Sequence, residues 1–138
     1  MIHYVENPDV TVEDVLPLYE AVGWTNYTTK PEMLKAAFEN SLHVLAAFNE
    51  EGILVGVLRA VGDAASILFI QDILVYPEYQ HQGIGTKLLQ QTLEKYKNVY
   101  QIQLATDDSK KTVSFYESNG FTSLTSLNCV SFMYTGNQ

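Results

Sequence analysis

Val75-Tyr76-Pro77-Glu78-Tyr79-Gln80-His81-Gln82-Gly83-Ile84-Gly85-Thr86 leaves an apolar segment, turns at Pro77 and enters a new run through two glycines. In that run Ile84, Leu88, Leu89, Leu93 and Tyr96 share one helical face, so the stretch reads as strand, turn and amphipathic helix over Gly83 to Tyr96. A helix N-terminus offers unpaired N–H groups and a partial positive charge, which suits a phosphate. Gly83 and Gly85 let the backbone approach such an anion without side chains in the way. A run of N–H groups holds a diphosphate even where the loop lacks Arg or Lys. Two other glycine-rich loops fail on the residues. A dinucleotide fingerprint needs a third glycine where Leu88 stands, and a P-loop needs Gly-Lys-Ser/Thr where the order is Gly85-Thr86-Lys87.

Working outward, Ser66 to Tyr76 predicts a central strand, because its apolar character is nearly continuous. His43 to Asn49 and Ile53 to Val61 predict an antiparallel hairpin around Asn49-Glu50-Glu51-Gly52. Ile2 to Glu6 opens the chain as a short strand. Thr11 caps a helix with Val12, Val15, Leu16, Tyr19 and Val22 on one face, kinked or delayed by Pro17. A second helix starts at Pro31. After the glycine-entered helix come a strand at Val99 to Ala105 and a helix at Ser109 to Ser118 that stops at Asn119-Gly120. Phe121 onward predicts one or two final strands, including Val130 to Tyr134, with Cys129 buried in them. The order β-α-α-β-β-β-α-β-α-β-β implies an α/β fold of the α+β type. Its central sheet is mixed and has helices on both faces, in a single domain over 1–138.

Gln80-His81-Gln82-Gly83-Ile84-Gly85 resembles the Gln/Arg-x-x-Gly-x-Gly/Ala motif of GNAT-type N-acetyltransferases, including the preceding strand with its Val-x-Pro-Glu-Tyr exit. Thr112 to Phe121 is similar to that family's helix ending in Phe-Tyr-x-x-x-Gly-Phe. The likeness implies a mostly antiparallel sheet and acetyl-CoA as cosubstrate. It implies contacts to the coenzyme from Ile73, Leu74 and Val75 on the strand, and from Gln80, His81, Gln82, Gly83, Ile84, Gly85 and Thr86 in the loop. It also places Tyr116 beside the coenzyme sulfur, where a phenol protonates the leaving thiolate as general acid. Relatives carry Asn where this chain has Ser109, a shorter hydrogen-bonding group that leaves that coenzyme contact open. Some relatives carry Glu where this chain has Gln71, so Asp72 becomes the nearest candidate base. Adjacent strand residues point to opposite faces, so only one of Gln71 and Asp72 is expected to face the acceptor. Deprotonation through ordered water is the rival to Asp72. A backbone N–H near Leu74 or Val75 is expected to steady the developing oxyanion. Trp24 and Tyr27, in the loop Gly23 to Thr29, form a wall for an aromatic or cationic amine, with Gln71 at the same acceptor side. The chain looks closest to the bacterial and plastid branch related to plant serotonin N-acetyltransferases.

The expected activity is acetyl transfer from acetyl-CoA to a primary amine of a small molecule, by direct attack in a ternary complex. A protein N-terminus or lysine is the alternative acceptor, and a non-catalytic coenzyme A-binding module is the alternative class. Cys129 has no visible activating base, which disfavours an acetyl-enzyme. His3, His43 and His81 are too scattered for a metal site, so no metal is expected. The formal net charge is −8, with Arg59 as the one arginine, and this argues against a nucleic-acid partner. Apolar runs such as Ile67-Leu68-Phe69-Ile70 fall far short of the roughly 20 residues of a membrane span. Met1 to Glu6 shows no signal-peptide pattern, so a cytoplasmic protein without membrane contact is expected, as a monomer or homodimer.

Overall fold

The computed structural model describes residues 1–138, in two compact units, Met1–Ala105 and Thr106–Gln138. In the first unit β1 (His3–Glu6), β2 (His43–Phe48), β3 (Leu54–Gly62), β4 (Ile67–Val75) and β5 (Gln101–Leu104) form one sheet in sequence order. The first three pairings are antiparallel and β4–β5 is parallel, giving the mixed, mostly antiparallel sheet expected. The β2–β3 hairpin closes through Asn49, whose side-chain oxygen accepts from the amides of Glu51 and Ile53.

Helices cover both faces. α1 (Val12–Ala21), α2 (Thr25–Thr28) and α3 (Pro31–Asn40) lie on one side. There Val15, Leu18, Tyr19 and Leu34 pack with Val44, Ala46, Val57 and Leu74. α1 starts at a Thr11–Asp14 capping box and runs through Pro17. The expected loop at Gly23 to Thr29 holds the short helix α2, a turn too brief to leave a hydrophobic period in the sequence. α4 (Ile84–Lys95) covers the other face. Gly56 of β3 permits its close approach, since a Cβ there would stand 3.3 Å from Ile84 and 3.1 Å from the Leu74 carbonyl. Under α4, His43 Nε2 lies 3.0 Å from Thr92 Oγ1. The Thr92 hydroxyl donates to the Leu88 carbonyl, so Nε2 carries the proton and Nδ1 is left without a partner. Burial, and then the charge of Lys95, push the His43 pKa down to about 4. No helix of the chain is long and apolar enough to cross a membrane.

The second unit holds α5 (Lys110–Ser118) and a 3-10 turn at Leu124–Leu127. α5 ends as expected at Asn119-Gly120, with Gly120 at φ 91° and the Phe121 amide donating to the Tyr116 carbonyl. The expected final strands do not form. Val130 to Tyr134 has strand-like residues but no ladder partner, and Val130, Phe132, Met133 and Tyr134 stand exposed. Cys129, expected to be buried there, is exposed for the same reason.

Candidate functional site

Two features of the first unit converge at the C-terminal end of β4. The first is an open strand edge. The Tyr76 amide donates to the Val55 carbonyl, and antiparallel bonding alternates, so Leu74 and Asp72 bond toward β3 while Ile73 and Val75 turn their backbone the other way. β5 pairs with β4 only as far as Ile70, so Ile73 and Val75 have no strand partner on that side. The oxyanion donor looked for at Leu74 or Val75 is thereby narrowed, because the Leu74 amide belongs to the β3 ladder. The Val75 carbonyl accepts from Gln80 Nε2 at 3.0 Å, which draws the next loop onto this edge.

The second feature is that loop. A 3-10 turn at Pro77–Tyr79 is braced by Asn49 Nδ2 donating to the Tyr79 hydroxyl at 3.1 Å. His81 (φ 63°) and Gly83 (φ 82°) are left-handed, and they curl the chain into the first turn of α4. Within Met1–Ala105, none of the amides of His81, Gln82, Gly83, Ile84, Gly85 and Thr86 has an acceptor. The Gln82 side chain turns back to the Glu78 carbonyl at 3.4 Å. The first turn of α4 carries no acidic residue, unlike that of α1 with Glu13 and Asp14. A helix start without its own carboxylate keeps its partial positive charge for an outside anion.

On the α1 face of β4 lies a network that the sequence reading only touched. Asp72 Oδ2 accepts from Arg59 Nε at 2.8 Å and from the Tyr19 hydroxyl at 2.7 Å. Asp72 Oδ1 accepts from the Tyr27 hydroxyl at 3.2 Å, and Gln71 Nε2 reaches the same hydroxyl at 3.4 Å. Arg59 also donates to Ser41 Oγ at 3.3 Å. Burial, and then the Asp72 charge, push the Tyr19 phenol up from its ordinary value. Trp24 and Tyr27 stack with ring centroids 6.0 Å apart.

The alternation expected of Gln71 and Asp72 is not regular here, because β4 is bulged. Arg59 pairs with Asp72 while the next residue, Ala60, pairs with Ile70, so Gln71 has no opposite number. Both side chains therefore reach one tyrosine. Arg59 and Tyr19 were missed as site residues. The signal for Arg59 was present, a lone arginine inside an apolar strand, and a charge there demands a buried partner. Tyr19 left no such mark.

In the second unit Tyr116 is half-buried between Phe115 and Phe121, at centroid distances of 5.0 and 5.8 Å. Burial, and then the Asp107 charge, push its phenol up to about 12. Ser109 caps α5, accepting from the Thr112 amide at 3.3 Å and donating to Thr112 Oγ1 at 2.9 Å.

The family model for the acetyltransferase (GNAT) domain matches residues 8–131. The chain belongs to the GNAT acetyltransferase family. GNAT family protein SP0256, an acetyltransferase from Streptococcus pneumoniae TIGR4, is 42% identical, with a TM-score of 0.90 over 100% of both chains. Among curated GNAT relatives, ycf52 of Gracilaria tenuistipitata var. liui, an uncharacterized N-acetyltransferase, is 31% identical over 120 residues, 83% of this chain. Histone acetyltransferase TAP1 of Glycine max is 33% identical over 125 residues, 82% of this chain. The chain spans 64% and 52% of the lengths of those two relatives.

Proposed function

We propose that this GNAT chain, acting over 1–138 as one catalytic domain, transfers the acetyl group of acetyl-CoA to a primary amine of a small molecule. The observation that carries the reading is the run of unengaged amides from His81 to Thr86 at the mouth of α4, continuous with the free edge of Ile73 and Val75. Six N–H groups in succession fit a diphosphate, and the strand edge at Ile73 and the Val75 amide, which no strand pairs, fits a pantetheine amide. Gln80, through its bond to the Val75 carbonyl, fixes the loop to the strand.

Acetyl-CoA supplies an activated thioester. The chain supplies position and protons. The backbone N–H of Val75 or Ile73 faces the free edge, where a preorganised dipole stabilises oxygen charge. Tyr116 donates its phenolic proton to the departing thiolate. An ordinary phenol already holds that proton at neutral pH, and burial raises this one further. Trp24, Tyr27 and Gln71 receive the amine, and Asp72 holds Tyr27. Free thiol followed with acetyl-CoA and a panel of amines tests the reading. Coenzyme binding without thiol release for any amine would leave only the non-catalytic module. Faster acetylation of peptides than of arylalkylamines would favour the protein acceptor that the soybean relative's name carries.

A further inference from the structure

We infer that the Tyr27 hydroxyl, not the Asp72 carboxylate, meets the acceptor amine, and that the buried Arg59–Asp72 pair makes this hydroxyl an obligate hydrogen-bond acceptor. The inference rests on the Trp24–Gln71 face being the acceptor side.

Access comes first. Asp72, Arg59 and Tyr19 are 2%, 5% and 0% exposed, whereas Tyr27 is half-buried and Gln71 exposed. An incoming molecule therefore touches the network at the Tyr27 oxygen and at Gln71. Direction follows from the donor count. An ionised carboxylate only accepts, so the single Tyr27 proton is committed inward to Asp72 Oδ1. What remains on the outer side of the Tyr27 oxygen is lone-pair density. Gln71 Nε2 reaches that oxygen at 3.4 Å and spends one of its two N–H groups there. The Tyr27 hydroxyl thus faces outward as an acceptor only, beside the Gln71 amide and the stacked rings of Trp24 and Tyr27, which favour a cation.

Charge then decides against Asp72 as the proton's destination. Protonating it would leave the Arg59 guanidinium buried without its counter-charge, one of the costlier arrangements in a protein interior. The proton given up by the amine goes to solvent, and Asp72 with Arg59 serves as a positioning pair. The substrate class is a protonated primary amine on an aromatic or apolar body, read through its N–H groups.

The fluorescence of Trp24, the one tryptophan, reports binding. Three probes share a phenylethyl body: 2-phenylethylamine, its N,N,N-trimethylammonium analogue and methyl 2-phenylethyl ether. The wild-type chain is expected to bind the primary amine at least about tenfold tighter than either other probe, the worth of one charge-assisted hydrogen bond. Tyr27→Phe, checked for an unchanged melting curve, is expected to erase the preference between the amine and its trimethylated form. Equal binding of the trimethylated cation by wild type would assign recognition to charge and rings alone and overturn the inference. So would a preference that survives Tyr27→Phe, or a wild type that binds none of the probes. The wild-type series needs no variant to fold. A chain that binds the amine with this preference yet releases no thiol would fail the acetyl-transfer reading and leave this one standing.

Discussion

Replacing Asp72 by Asn removes one charge and almost no volume, so its cost isolates the electrostatics of the buried network. Arg59 and Asp72 are 5% and 2% exposed and meet at 2.8 Å. Breaking such a pair from one side strands a guanidinium away from water, at about 3–5 kcal/mol. The asparagine also has only one acceptor oxygen for the three donors from Arg59, Tyr19 and Tyr27. Its oxygen is expected to stay with Arg59 and Tyr19, which turns the amide NH2 toward Tyr27 and reverses that tyrosine's proton. Against a total stability of roughly 5–15 kcal/mol, the variant folds marginally. For 138 residues a kcal/mol moves the melting point by about 3 °C, so a drop of about 10–15 °C is expected. Urea melts of Asp72→Asn, Arg59→Met, Asp72→Leu and the Arg59→Met/Asp72→Leu double variant complete the test. The double variant is expected to recover part of the loss, because it leaves neither partner charged while the buried Tyr19 hydroxyl still lacks its acceptor. A loss below about 1 kcal/mol in Asp72→Asn, or strict additivity of the two apolar substitutions, would refute the coupled pair and the fixed direction of Tyr27 with it.

Three further outcomes are expected. His43 has a folded-state pKa of about 4 against its ordinary 6.5, so the unfolded chain binds more protons between those values. Its contribution is complete above about pH 6.5 and is lost as pH falls toward 4, by about 3 kcal/mol in all. His43→Leu should flatten that part of the pH–stability curve from urea melts, and an unchanged slope would place the dependence elsewhere. Gly83→Val puts a β-branched residue at φ 82°, at a strain of about 1–2 kcal/mol, with nothing within 4 Å of the new Cβ to clash. Calorimetric titration with coenzyme A should show at least about tenfold weaker binding, and unchanged affinity would remove the phosphate from the α4 mouth. Tyr116→Phe should lower kcat by about 100-fold or more with coenzyme affinity kept. With the phenol near 12, wild-type kcat should show no loss of an acid through pH 10.

The half of the fold from β2 to α4 was legible because local chemistry and tertiary role agree there. Asn49 closes the hairpin, the apolar run of β4 fills the sheet, and glycines open the helix. The C-terminal end was misread because a strand is a relation between two segments. Val130 to Tyr134 carries the side chains of a strand, and side chains do not supply the partner. The candidate site divides in the same way. A phosphate cradle is made of consecutive backbone groups and writes itself into consecutive residues, so Gln80 to Thr86 was readable. The Arg59–Asp72–Tyr19–Tyr27 network spans 53 positions between its farthest bonded partners and exists only once the sheet has brought them together.

The bulge at Gln71 carries this furthest. In a regular strand, Ile70 and Asp72 would share one face and Gln71 would own the other. Here the register steps between Arg59 and Ala60, so cross-strand pairing puts Asp72 with Arg59 on the α1 side and Ile70 with Ala60 on the opposite side. The phase of alternation changes at one residue, and both buried positions remain buried. The unpaired position is exposed, so no side chain there gains from the ladder and the fold makes little demand on its type. Gln71→Leu should therefore leave stability within about 0.5 kcal/mol while removing the bond to Tyr27. Gly or Pro inserted beside it would test whether the step itself, rather than the glutamine, brings Asp72 under Tyr27. If Gln71→Leu instead unfolded the chain, the bulge would be a product of the glutamine's bonding and not of the β3–β4 register.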